Sequence, residues 1–234
     1  MHFHRIASRH RLTNNDAPAD PYVMTWFAAL ANAGNVPSDD ALQRVAAIVS
    51  AYRRAGSWDG LYRLWVFGLD NVGQATLDVK ALAVASPETG TPFIPGMGFA
   101  ADTQAHWISL NCNATEPGAG YTPDANSYTG FTAQRPGQPA PHAPGAFSSV
   151  RLAPDNVRLW RDGVPGPVIA NSPPMDMSPA GLGFTTSGQW PGASLDPAKP
   201  YVGTVQACAI IGGPLSDQGI AILHTALADN AVRP

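Results

Sequence analysis

Charge is scarce in this chain. Asp, Glu, Lys and Arg make up 13% of its 234 residues, about half the share in an ordinary globular domain. The formal net charge of −3 gives no footing for a nucleic-acid partner. Glutamate occurs only as Glu88 and Glu116, each beside a proline in a loop-like stretch. Glycoside cleavage needs two placed carboxylates, which would have to come from the aspartates, and no two aspartates stand at i, i+2 on a convincing strand. Cysteine is equally thin. Cys112 and Cys208 could pair across a sandwich, but two cysteines in a chain this long form no disulfide framework, and buried thiols are the expected state.

Other absences narrow the function. No window approaches the ~18 consecutive apolar residues of a membrane span, and the opening MHFHRIASRHRL has no apolar centre for a signal peptide. The Gly-x-Ser-x-Gly elbow, the phosphate-cradling Gly-x-x-x-x-Gly-Lys and His-Glu-x-x-His are all missing. Cys112 with His106 or His224 has no supporting context as a nucleophile and base. His2 and His4 form a His-x-His pair, but no carboxylate or cysteine lies near it in sequence to complete a metal site. The expectation is a non-enzymatic protein with no cofactor, no metal, no nucleic-acid partner and no membrane insertion.

What is abundant points to a turn-rich fold with a full core. Glycine and proline number 23 each, 44% of residues are hydrophobic, and there are six tryptophans. Residues 1–19 read as an extended basic arm in which Arg5, Arg9 and Arg11 precede any acid. Residues 20–80 read as a helical lead-in. Asp20 can cap a helix that has Pro21 at its first position and Tyr22, Trp26, Phe27 and Leu30 on one face. Ser38 begins a second helix with Asp39 and Asp40 in its first turn, and Gly56 stands where a left-handed terminating residue is wanted. In Gly56–Asp70 the apolar period changes from helical to extended, which places a strand near residues 64–68. A short helix is expected over roughly Val72–Val79.

Residues 81–234 change character. Short apolar or alternating runs occur at Leu82–Ala85, His106–Leu110, Tyr128–Ala133, Ala146–Leu152, Val157–Trp160, Leu182–Thr185 and Val202–Ile211, parted by turn formers. This pattern predicts an antiparallel sandwich, with a hairpin at Arg161-Asp162-Gly163 and a final helix capped by Ser216. Trp65, Phe67, Ile108, Leu110, Leu159, Ile210 and Leu223 are expected in the core.

Several ordered features resemble a family of tailed-bacteriophage virion proteins with a concanavalin A-like jelly roll. They are Asp20-Pro21-Tyr22, the Ser38–Gly56 helix, the run from Trp58 to Phe67, Gly98-Phe99-Ala100-Ala101-Asp102, the Val157–Gly163 hairpin, and Ala209-Ile210-Ile211-Gly212-Gly213 with the following Leu215-Ser216-Asp217-Gln218. The resemblance implies a structural part of a particle assembled in a bacterial cytoplasm, as tail fibre, tail tip or head decoration. It further implies other virion subunits and copies of the same chain as partners, with the arm and the sandwich surface as anchors. A lectin-like alternative binds host surface glycans through loops at Tyr121–Asn126 and Gly188–Gly192, with Tyr121, Asn126 and Trp190 as contacts. A depolymerase using aspartates is the weaker alternative.

Overall fold

The computed structural model describes residues 20–87, 89–101, 107–111, 126–133, 145–170, 183–185 and 203–232. Local signals set the helix ends. Asp20 Oδ1 accepts from Tyr22 N–H at 2.9 Å and opens α1 (Pro21–Asn32). Ser38 opens α2 (Asp39–Arg54) through Ala41 N–H, with acids in its first turn and Arg53 and Arg54 in its last. Gly56 follows at φ +67. A one-turn helix, α3 (Val72–Ala75), is capped by Asn71, and α4 (Asp217–Asp229) by Ser216.

The strand β1 (Leu61–Val66) is nearly continuous in apolar residues because both of its faces are buried. Leu61, Leu64 and Val66 meet the helices, while Tyr62, Trp65 and the following Phe67 point into a second cluster. It belongs to an antiparallel sheet with β3 (Phe93–Ile94), β4 (Gly98–Ala101), β6 (Ser127–Ala133), β7 (Gly145–Ala153), β8 (Asn156–Arg161), β9 (Val164–Ile169) and β11 (Gly203–Ile211). The order is β3-β4-β11-β6-β7-β8-β9, and β1 also pairs with β11. Beside β1, β4 pairs with the early residues of β11, and Phe67 and Gly68 N–H both reach Gln206 C=O where the two meet. A small antiparallel sheet holds β10 (Gly183–Thr185), β5 (Trp107–Ser109) and β2 (Ser86–Pro87).

The two faces of the large sheet are covered unequally. On one, Phe131, Ala146, Val150, Trp160, Ala207, Ala209 and Ile211 pack under the three long helices. On the other, Trp65, Phe67, Phe99, Tyr128, Val205, Cys208 and Ile210 pack with Ala85, Ile108 and Leu110 around the small sheet. Each full burial of a side chain such as Leu64 or Phe67 stabilises by roughly 1.5–3 kcal/mol. Cys208 is a buried thiol within that second cluster. The expected class, a mainly antiparallel β-sandwich with N-terminal helices and a C-terminal helix, is the one observed.

Some expectations need correction. Leu159 is 44% exposed although the other six residues expected in the core are buried. Its cross-strand partner is Ser149, beyond which Tyr128 is the last residue on that row under cover, so it lies past the reach of the small sheet. Leu82–Ala85 is no strand: Leu82 turns at φ +58 and Val84 makes a single bridge to Leu77. The helix expected to run to Val79 stops at Ala75. Strand β9, Val-Pro-Gly-Pro-Val-Ile, is the returning arm of the hairpin expected at Arg161-Asp162-Gly163, although its own pattern reads as no strand because Pro165 and Pro167 are turn formers; they are tolerated because β9 is the last strand of the sheet. The helices of the lead-in pack on the sheet and share one core with α4, and β1 lies within the sheet.

Candidate functional site

The turn and strand chemistry brings one serine and one histidine together in the core. Ser148 on β7 and His224 on α4 lie with Oγ and Nε2 2.7 Å apart, both buried. This looks like a nucleophile and base until the second ring nitrogen is considered. Gly163 N–H donates to His224 Nδ1 at 2.7 Å, so Nδ1 holds the lone pair and Nε2 carries the proton. The histidine therefore donates to the serine, whereas an activating base must accept from it. Burial pushes His224 down to about 4, against the opposing influence of Asp162 and the Phe147 carbonyl. His224 thus ties α4 to β7 through Ser148 and to the β8–β9 turn through Gly163.

A second polar centre organises a loop. Asp78, fully buried, accepts from Leu64 N–H at 2.9 Å, Lys80 N–H at 2.8 Å and Ala81 N–H at 3.1 Å. Arg63 Nε stands 3.6 Å from Asp78 Oδ2. Burial raises its pKa to about 6 against these donors. Asp78 and Val79 also occupy the outer edge of β1, where Val79 N–H bonds Leu64 C=O at 2.8 Å. The loop closes with Leu82 N–H on Asp78 C=O at 3.0 Å and Leu82 in the left-handed region, a strained place for leucine.

This loop faces an aromatic pair. Tyr22 and Trp58 meet edge to face with centroids 5.0 Å apart. Lys80 Nζ lies 4.7 Å from the Tyr22 centroid and 4.5 Å from that of Trp58, and it donates to Trp58 C=O at 3.1 Å. The Arg53 guanidinium stacks 4.7 Å from the Trp58 ring and pairs with Asp20. A hollow of about 260 Å³ opens beside them, lined by Pro21, Tyr22, Thr25, Val79, Lys80, Ala81 and Leu82.

The third feature is the open end of the sheet. Cross-strand partners share a face, so Phe147, Arg161 and Val164 form one row, and Arg151, Val157 and Ile169 another, with Leu159 between them. Leu159, Val164 and Ile169 are 44%, 67% and 45% exposed, and Arg161 stacks 5.0 Å from the Phe147 ring. Among the described residues β9 ends this side of the sheet, and its Pro165 and Pro167 have no N–H to offer an added strand.

Of the glycan contacts expected from sequence, Asn126 is 3% exposed just before β6. Tyr121 and Trp190 lie outside the described residues, as do Arg5, Arg9 and Arg11 of the arm. Sequence reasoning missed Tyr22, Trp58 and Lys80 as a group, because they come from a helix, a turn and a loop far apart in the chain. Among the described residues no three His, Cys, Asp or Glu side chains gather where a metal could sit, and no helix is long and apolar enough to cross a membrane.

No protein-family model matches the chain, and no curated protein matches it. Among solved structures it is similar to domain 4 of AbnA, a GH43 extracellular arabinanase from Geobacillus stearothermophilus in complex with arabinotriose. That match has TM-score 0.45 and 12% identity, over 70% of this chain and 98% of that one. A Trypanosoma rangeli sialidase mutant displaying trans-sialidase activity matches at TM-score 0.44 and 12% identity, over 82% of this chain and 40% of the sialidase. The botulinum neurotoxin serotype D binding domain matches at TM-score 0.44 and 12% identity, over 73% and 52% of the two chains. These are loose likenesses of strand arrangement, and the fold described above stands on its own strand pairing.

Proposed function

We propose that this chain is a non-enzymatic structural component of a phage or phage-like particle, docking other subunits through the open face of β7, β8 and β9. The observation that carries this reading is the exposure of Leu159, Val164 and Ile169 together on one face of the sheet. Large apolar side chains grouped on a surface suit a protein partner, and Arg161 on the same face adds a directional contact. The proline-bearing edge steers a partner to that face and away from strand addition. Arg5, Arg9 and Arg11 add a second anchor to an acidic neighbour, each exposed pair contributing about 0–1 kcal/mol.

The reading is tested by incorporation. A Leu159→Ser, Val164→Ser, Ile169→Ser triple variant is expected to remain folded with a cooperative melting curve and to enter assembled particles at a small fraction of the wild-type copy number. Wild-type incorporation of that variant would reject the face as the docking surface.

A second reading, a glycan-binding module, is favoured by the hollow beside Tyr22 and Lys80. An aromatic ring, a cation and a hydroxyl around a small concavity are the elements a sugar site uses. Titration with a single sugar ring tests it.

A further inference from the structure

The hollow between α1 and the Asp78–Leu82 loop combines three properties that suit a small ligand. Its cation has no carboxylate partner among the described residues: Lys80, one of two lysines in the chain, is half-buried and its ammonium meets only the Tyr22 and Trp58 rings and the Trp58 carbonyl. One of its three N–H donors goes to Trp58 C=O. Its shape is fixed beforehand, because the Asp78 carboxylate holds the loop by three backbone N–H groups and Leu82 is kept at φ +58 on the rim. Its walls are mixed, with Pro21, Tyr22, Val79 and Leu82 for C–H surfaces and the Thr25 hydroxyl, which donates to Pro21 C=O at 2.8 Å and keeps its acceptor capacity.

We infer that this hollow binds one sugar ring bearing a carboxylate, a uronic-acid residue. The inference rests on the glycan reading above and narrows it. About 260 Å³ is below the roughly 300–1,000 Å³ of sites for drug-sized ligands, so one ring fits and a longer ligand would project into solvent. A single lysine matches one monoanion, whereas phosphate calls for several convergent donors, commonly arginines or a run of backbone N–H groups. The ring carbons lie on Tyr22 while the carboxylate meets Lys80 Nζ. A single ring of this size binds in roughly the millimolar range, so such a site works through many copies on an array.

The test is titration of the full chain with D-glucuronate and with D-glucose, followed by amide chemical shifts of residues 78–82 and of Tyr22. Glucuronate is expected to give saturable shifts that weaken with salt, and glucose none. Lys80→Gln should lower glucuronate affinity about tenfold or more, the worth of a charged hydrogen bond. Tyr22→Ser, altering a side chain at the surface, should weaken it with the amide spectrum otherwise retained, which separates site loss from unfolding. Equal binding of both sugars overturns the acid assignment and leaves the glycan reading standing. No shift with either sugar up to tens of millimolar overturns both. Preferential saturation by a hexaglutamate peptide overturns the sugar assignment in favour of an acidic protein segment.

Discussion

Gly163 N–H donates to His224 Nδ1 at 2.7 Å, so a hairpin turn sets the protonation of a helix residue 61 positions away. Asp162 and Gly163 can make that turn because both hold positive φ, +48 and +80. Burial lowers His224 from 6.5 to about 4. As pH falls, the unfolded chain takes the proton first, so this contribution is intact above the unfolded value and lost by the folded one. The stability gap between wild type and His224→Gln is expected to shrink by about 3 kcal/mol between pH values of about 7 and about 4. Urea unfolding at both values measures it, and a constant gap contradicts the assignment.

Asp78 has the opposite slope. Its folded pKa is raised from 3.8 to about 6, so its contribution is complete below 3.8 and lost as pH rises through 6. The gap between wild type and Asp78→Asn should therefore widen by about 2.5 kcal/mol on going from about pH 7 to about pH 4. Asp78→Ala orphans the N–H groups of Leu64, Lys80 and Ala81 and should cost roughly 2–5 kcal/mol near neutral pH by the same unfolding measurement.

Two glycines at positive φ separate strain from collision. Gly98 sits at φ +91 where β4 crosses β11, and a Cβ there would run into the Val205 carbonyl and press on Phe67. Gly98→Ala is expected to cost roughly 3 kcal/mol or more. Gly163, at φ +80 with open space around it, should cost about 1 kcal/mol on the same substitution. Equal losses in thermal unfolding would show that the close approach of β4 to β11 adds nothing.

On the open face, Leu159→Ser, Val164→Ser and Ile169→Ser should each change stability by no more than about 1 kcal/mol, because their side chains stay largely in contact with solvent. Trp160→Ala, one position from Leu159 but packed under the helices, should cost about 3–5 kcal/mol. Chemical denaturation of the four variants gives the contrast directly.

The punctuation of the fold was legible in the sequence. Asp20-Pro21, Ser38-Asp39-Asp40, Ser216 and Asp162-Gly163 each carry their own local chemistry, and each sits where that chemistry requires. Coverage was not legible. Alternation assigns Leu159 a side of its strand, but whether that side is covered depends on how far the small sheet reaches. Pro165 and Pro167 disguised β9, since an edge position, which local pattern does not reveal, is what makes them tolerable. The Tyr22, Trp58 and Lys80 group was hidden for a similar reason. The buried Asp78 carboxylate builds the loop that delivers Lys80, and by spacing alone it reads as one aspartate among fifteen.

The central claim is that the open face of β7, β8 and β9 is covered in the assembled state. Hydroxyl-radical footprinting of Leu159, Val164 and Ile169, in the isolated chain and in purified particles containing it, measures that coverage. Strong labelling in the isolated chain and protection of all three in the particle is the predicted result. Equal labelling in both states would contradict it.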